Sequence, residues 1–345
     1  TAELSLALPA SAEPVSPAQA PGIVESRDPS VGWLFDGADD RSVVAAAHLM
    51  ERGVQVRMLD KATTLNGRDV ARGSVVVFRI DNERHPGLVD ALDEVARTLG
   101  IDARATDTGF GPGDAPDLGG GHLHLLERPR IAVVAREGVD PSDFGAIWHS
   151  IDHTLGVRAS YLDSLELSYA DLRRYNVLVL PHASGEVVRR NADTLKTWVE
   201  QGGTLIAVGN SASAAASESA GLTSVRTLGD SLGALDEHAV DVAREFAGRS
   251  ATADVDAVYA SGVPASIDFP WSNLDDLPGE DELKRRDRYT DVFMPQGAIV
   301  AARTDDRHWL TVGAGDTLPV LFTGGTVLMA KRPAQAPVRL GVFVP

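Results

Sequence analysis

Three short apolar runs punctuate residues 128–209: Ile131-Ala132-Val133-Val134-Ala135, Val177-Leu178-Val179-Leu180 and Thr204-Leu205-Ile206-Ala207-Val208. Runs this short, nearly free of polar residues, are what strands buried on both faces look like, and parallel strands joined by helical crossovers are buried in that way. The stretches 144–155 and 191–201 between them are amphipathic and of helical length, and Gly202-Gly203 closes the second. The region therefore reads as strand, helix, strand, helix, strand, helix, strand. With connections so short, that series predicts a right-handed, doubly wound, mostly parallel α/β sheet. A fold of this kind does not choose a function by itself.

A chain of 345 residues has material for two modest cores. Residues 1–30, rich in Pro, Ala and Ser, read as an extended lead-in. Residues 31–121 read as a smaller α/β unit, with strands at 31–35, 54–59 and 73–78, and helices at 39–52 and 86–99 ended by Gly53 and Gly100. Residues 106–121 hold six glycines and two prolines and form a loop, a candidate lid or linker. The larger domain is expected over 122–345. It comprises the parallel unit, a helix near 231–248, an irregular insertion at 250–296, and C-terminal strands at 298–302, 309–312, 319–322, 326–329 and 340–343.

The net charge of -17 argues against a nucleic-acid partner, because binding a polyanion relies on basic patches. The absence of Cys excludes thiol nucleophiles, disulfides, Cys-zinc sites and iron-sulfur clusters. Every apolar run falls short of the ~20 residues that span a bilayer. The first thirty residues also lack a basic stretch followed by an apolar core. Thr1 as an N-terminal nucleophile is weighed against a cut upstream, and the cut is the expectation.

Five constellations have residue types that could carry chemistry. The first is the strand 204–208 running into Gly209-Asn210-Ser211-Ala212-Ser213, which places a hydroxyl where a strand-to-helix elbow holds a nucleophile. Ser213 stands where the second Gly of that motif belongs, and His182 follows the neighbouring strand as a candidate base for Ser211. The alternative is Ser211 as a helix cap. In the second, His149 and His153 share a helix face as metal-binding pairs do, but Ser150 stands where a zinc hydrolase carries its Glu. The third, His124 with Glu127 and a distant His238, matches a zinc spacing in an unfavourable context. The fourth, Gly119-Gly120-Gly121, lacks the strand, helix and Lys of a phosphate loop. The fifth is a pair of Asp-rich turns, Asp36 with Asp39 and Asp40, and Asp305 with Asp306, which offer carboxylates to a cation or simply to water.

The segments 128–133, 171–181 (Asp-Leu-Arg-Arg-Tyr-Asn-Val-Leu-Val-Leu-Pro) and 195–207 (Leu-Lys-Thr-Trp-Val-Glu-Gln-Gly-Gly-Thr-Leu-Ile-Ala) carry a resemblance, as do 297–300 and 319–322 more weakly. Here the chain resembles the region that follows the catalytic domain in large bacterial zinc carboxypeptidases of the metallocarboxypeptidase family, whose core is similar to a class I glutamine amidotransferase domain. The resemblance implies a flavodoxin-like layered fold, a secreted or cell-envelope parent, and zinc only in a preceding catalytic domain. It also implies that domain as a partner, with a peptide or cell-surface ligand. It transfers no triad, because the amidotransferase nucleophile is Cys and this chain has Ser211 at the corresponding turn. The expectation is a non-catalytic amidotransferase-like accessory or binding module without a cofactor in this chain. Two alternatives stand beside it: a serine hydrolase using Ser211 and His182, and a small-ligand binding protein using the crevice at the strand ends.

Overall fold

The computed structural model describes residues 20–227, 230–231, 266–268, 298–322, 326–330, 332–340 and 342–344. In the first unit, β1 (Gly32–Phe35), α1 (Arg41–Glu51) and β2 (Arg57–Leu59) are followed by a hairpin of β3 (Thr63–Leu65) and β4 (Arg68–Val70). Then come β5 (Val75–Phe78), α2 (Leu88–Leu99), β6 (Arg104–Thr106) and β7 (Leu123–Leu125). The sheet order is β6-β1-β5-β2-β7, and every neighbouring pair is antiparallel. Each helical crossover skips one strand, which is the split β-α-β arrangement. β7 pairs with β2, so this sheet runs past residue 121 to Leu125.

The strand runs seen in the sequence are buried on both faces, but the second cover is not helical. Trp33, Phe35, Val75 and Val77 pack against Ala45 and Leu49 of α1 and Leu92 and Val95 of α2. Leu34, Val76 and Leu59 meet Leu65 and Val70 of the hairpin, and Leu118 from the glycine-rich loop. A hairpin and a loop exclude water as well as a helix does, and they place no demand on strand direction.

The second unit is the parallel sheet. β8 (Ile131–Ala135), β9 (Ala159–Asp163), β10 (Val177–Leu180) and β11 (Thr204–Ala207) lie in the order β9-β8-β10-β11, all parallel. On one face Ala132, Val134, Leu178 and Leu180 pack on residues of α4 (Gly185–Arg190), α5 (Ala192–Glu200) and α6 (Asn210–Ala215). On the other, Ile131, Val133 and Val179 pack on Ile151 and Val157, and on Ala47 from α1 of the first unit. An Arg128–Glu51 ion pair at 2.6 Å reinforces this junction.

Two sequence expectations change here. The helix expected over 144–155 is α3 (Pro141–Trp148), which widens into a π-helical turn at His149–Thr154. The helix expected between the second and third parallel strands is replaced by two 3₁₀ turns, Leu167–Tyr169 and Leu172–Arg174. Leu167 and Leu172, with Ala170 and Tyr175 partly buried beside them, pack into the core from these turns.

At the C-terminus, β14 (Ala298–Thr304), β15 (Thr317–Phe322) and β17 (Val338–Leu340) make an antiparallel layer. Residues 309–312, expected as a strand, contain a 3₁₀ turn, Trp309–Thr311, because the Thr311 hydroxyl donates back to the His308 carbonyl at 2.8 Å. Two short pairs complete the set, β12 (Arg226–Thr227) with β16 (Leu328–Met329) and β13 (Ser266–Asp268) with β18 (Val342–Val344). Apart from Ser231 and β13, the expected helix over 231–248 and the insertion 250–296 lie outside the described residues.

Candidate functional site

Because the parallel strands point one way, the residues following β8, β10 and β11 gather on one rim. After β11 the chain turns at Gly209 with φ 57° and ψ -127° and enters α6. The rim holds both residues of the sequence-derived nucleophile and base. Ser211 is fully buried, and its hydroxyl donates to the Pro181 carbonyl at 2.6 Å. His182 is half exposed; its Nδ1 accepts from the Asn210 N–H at 3.3 Å and lies 3.9 Å from Asp143 Oδ2. Among the described hydrogen bonds none joins Ser211 to His182. A serine nucleophile needs an accessible Oγ whose proton goes to the base. Here the Ser211 proton is spent on a carbonyl, so the residue ties the β11 turn to the β10 turn. Asn210 adds a second tie, with Nδ2 donating to the Ala183 carbonyl at 2.9 Å.

A larger concavity lies on the antiparallel unit. An open groove of about 710 Å³ has Val31, Phe78, Ile80, Leu118 and Leu123 as apolar lining, with Gly119 and Gly120 on its wall. Two arginines stand in it. Arg57 spreads over the Phe78 ring, 5.8 Å from its centroid, and pairs with Asp81 at 2.7 Å. Arg79 pairs with Asp28 at 2.6 Å. The loop at 106–121 is thus one wall of a groove, with Phe110 nearby left 79% exposed. Composition had marked the loop, but only the packing of Leu118 against β2 and β5 shows what it encloses.

Behind this wall the β2–β7 pairing assembles a cluster that sequence spacing did not join. Register sets Met58 opposite His124, and the Asp60 N–H donates to the His122 carbonyl at 2.9 Å. His122 Nδ1 is then 2.8 Å from Asp60 Oδ1, and His124 Nε2 is 2.7 Å from Asp60 Oδ2. Partial burial alone would push the Asp60 carboxyl up, but the hydrogen bonds from His124 and His122 outweigh it and hold the group below the usual carboxylate range. The signal available in the sequence was His-x-His at the start of a short strand; its partner is 62 positions away.

The remaining candidates separate. Glu127, read with His124, instead pairs with Arg130 and accepts from Asn176 Nδ2 at 3.0 Å. His238 and Thr1 lie outside the described residues. His149 and His153 stack, with ring centroids 4.6 Å apart and planes 10° from parallel. Asp36 pairs with Arg104 at 2.9 Å, and Asp39 with Arg41, whose guanidinium holds the Asp39 carboxyl below its ordinary value. The Asp305 carboxylate accepts from the Arg307 N–H at 3.0 Å, as a solvated turn does. Among the described residues no three metal-ligating side chains stand ready-made about one point, and no helix is long and apolar enough to cross a membrane. No family model, curated protein or solved structure matches this chain.

Proposed function

We propose that this chain is a non-catalytic, amidotransferase-like binding module of a secreted, zinc-carboxypeptidase-like protein, and that it holds peptide in the groove beside Phe78. The strand order β9-β8-β10-β11, with apolar cover on both faces, supports a doubly wound, flavodoxin-like reading of the parallel unit. The observation that carries the non-catalytic reading is the Ser211 hydroxyl, buried and committed to the Pro181 carbonyl. In this reading the zinc and the peptide hydrolysis belong to a preceding catalytic domain, which is also the partner, and the module needs no cofactor to hold its ligand. The groove offers a peptide an apolar floor with paired charges of both signs at its edge, a combination that orients side chains without a reacting group.

Two measurements test the proposal. A fluorophosphonate probe is expected to leave the purified chain unlabelled, whereas labelling that disappears in Ser211→Ala would establish the serine-hydrolase alternative. A pool of fluorescent N-acetylated peptides is expected to bind the chain, and Ile80→Glu to weaken that binding at least about tenfold, a loss of ~1.4 kcal/mol. Ile80 is 70% exposed, so the same change is expected to shift folding stability by no more than about 0.5 kcal/mol. Peptide binding unaffected by Ile80→Glu but lost in His182→Ala would move the ligand to the strand-end crevice.

A further inference from the structure

Half-exposed histidines and aspartates on a protein surface gain little stability from bonding to each other. His122, His124 and Asp60 have side chains 49%, 51% and 33% exposed, yet both imidazoles are turned onto one carboxylate from two strands. Nothing in the packing of the unit requires this, since its apolar contacts are made by Leu123 on the other face of β7. Two imidazole nitrogens and a carboxylate oxygen are, however, the donor set of borderline divalent metals, and the arrangement is open to solvent on the ligand side.

We propose that His122, His124 and Asp60 bind one divalent transition-metal ion, of which Zn(II) is the probe. In the described structure each imidazole takes its own carboxylate oxygen, so the donors are joined through N–H groups rather than gathered about a centre. A tetrahedral ion with metal–ligand bonds of about 2.0–2.2 Å sets neighbouring donors about 3.3–3.6 Å apart. The present nitrogen–oxygen separations of 2.8 and 2.7 Å are shorter than that by about 0.5–0.9 Å. Expanding them, with rotation of the carboxylate, replaces two N–H···O contacts by metal bonds; each neutral ring frees the lone pair of its coordinating nitrogen by shifting its one proton to the ring's other nitrogen. Arg72, which bonds to this turn, does not compete for the carboxylate. Its Nε donates to the Asp60 carbonyl at 2.9 Å and its Nη2 to the His308 carbonyl at 2.6 Å.

The set fits Zn(II), Ni(II), Co(II) or Cu(II) better than Mg(II) or Ca(II), which prefer oxygen alone. The ion would clamp β7 to β2. Because His122 follows Gly119-Gly120-Gly121 and Leu123 lines the groove, the clamp would also steady one groove wall.

Calorimetric titration of the purified chain with Zn(II) in a non-chelating buffer tests the site, with Co(II) absorption as a second readout. One equivalent is expected to bind, and the His122→Ala/His124→Ala double variant to bind at least about tenfold more weakly. The double variant is expected to melt as the metal-free parent does, since the replaced side chains are half exposed. A His149→Ala/His153→Ala variant controls for the other histidine pair and is expected to bind like the parent. Absence of binding, equal affinity in the His122/His124 variant, or loss of binding in the His149/His153 variant would each overturn the assignment. The result does not depend on the peptide-binding proposal, because the ion is titrated alone.

Discussion

Trp198→Ala is expected to cost about 3–5 kcal/mol of folding stability, the range for removing a large buried aromatic side chain. Trp198 is 5% exposed within the core beneath β8 and β10, among Leu178, Leu195 and Val188. Its Nε1 donates to the Leu172 carbonyl at 3.0 Å, so truncation opens a cavity and removes one of two hydrogen bonds to that oxygen, which keeps the Tyr175 N–H at 3.0 Å. The Leu172 turn stands where the sequence led one to expect a helix, and this bond helps hold the turn in place. Trp198→Phe separates the two effects: it keeps most of the packing and is expected to cost about 0.5–1.5 kcal/mol, chiefly from the lost hydrogen bond. Gly203→Ala is a companion test, because a Cβ at Gly203 would sit 2.4 Å from Trp198 Cδ2. Urea unfolding followed by circular dichroism measures all three. A loss below about 1 kcal/mol for Trp198→Ala would show that the indole does not organise this core.

Gly209→Ala is expected to cost about 2–4 kcal/mol and to disturb the rim. At φ 57° and ψ -127° the residue occupies a region that glycine reaches easily and side chains do not. A Cβ there would also lie 2.6 Å from His182 Nδ1, displacing the ring and its bond from the Asn210 N–H. The two costs can be told apart by a cycle with His182→Ala. Removing the ring relieves the collision but not the backbone strain, so Gly209→Ala is expected to cost less in that background by about 1 kcal/mol or more. Equal costs in the two backgrounds would mean that the imidazole has room to move and that backbone strain is the whole effect.

Trp198 and Gly203 both lie in the segment 195–207, from which the sequence led one to expect an amidotransferase-like domain. In this chain the indole of Trp198 packs against Gly203, just before the strand from Thr204. The motif therefore speaks to packing, and says nothing of a reacting group. The same distinction applies at the rim. Position in the sequence put Ser211 after a strand and beside His182, and the structure does bring them to one rim. Which atom the hydroxyl faces depends on the angle at which the β11 turn meets the β10 turn, and that angle directs it to the Pro181 carbonyl.

Local apolar patterning determined which residues are strands and most of the core; the run at 204–208, expected to be covered on both faces, is an edge strand with Ile206 46% exposed. The runs at 131–135, 177–180 and 204–208 are parallel strands, and those at 31–35 and 73–78 mark the strands at the centre of the first sheet. Tertiary structure alone decided the rest. An apolar run marks a strand without saying what covers it, so it could not show that β1 and β5 run antiparallel under a hairpin and a loop. Leu167 and Leu172 could not reveal that two short turns replace a helix. Asp60 could not be matched with His122 and His124, because cross-strand register is set by the pairing of the whole β2–β7 edge and not by spacing along the chain.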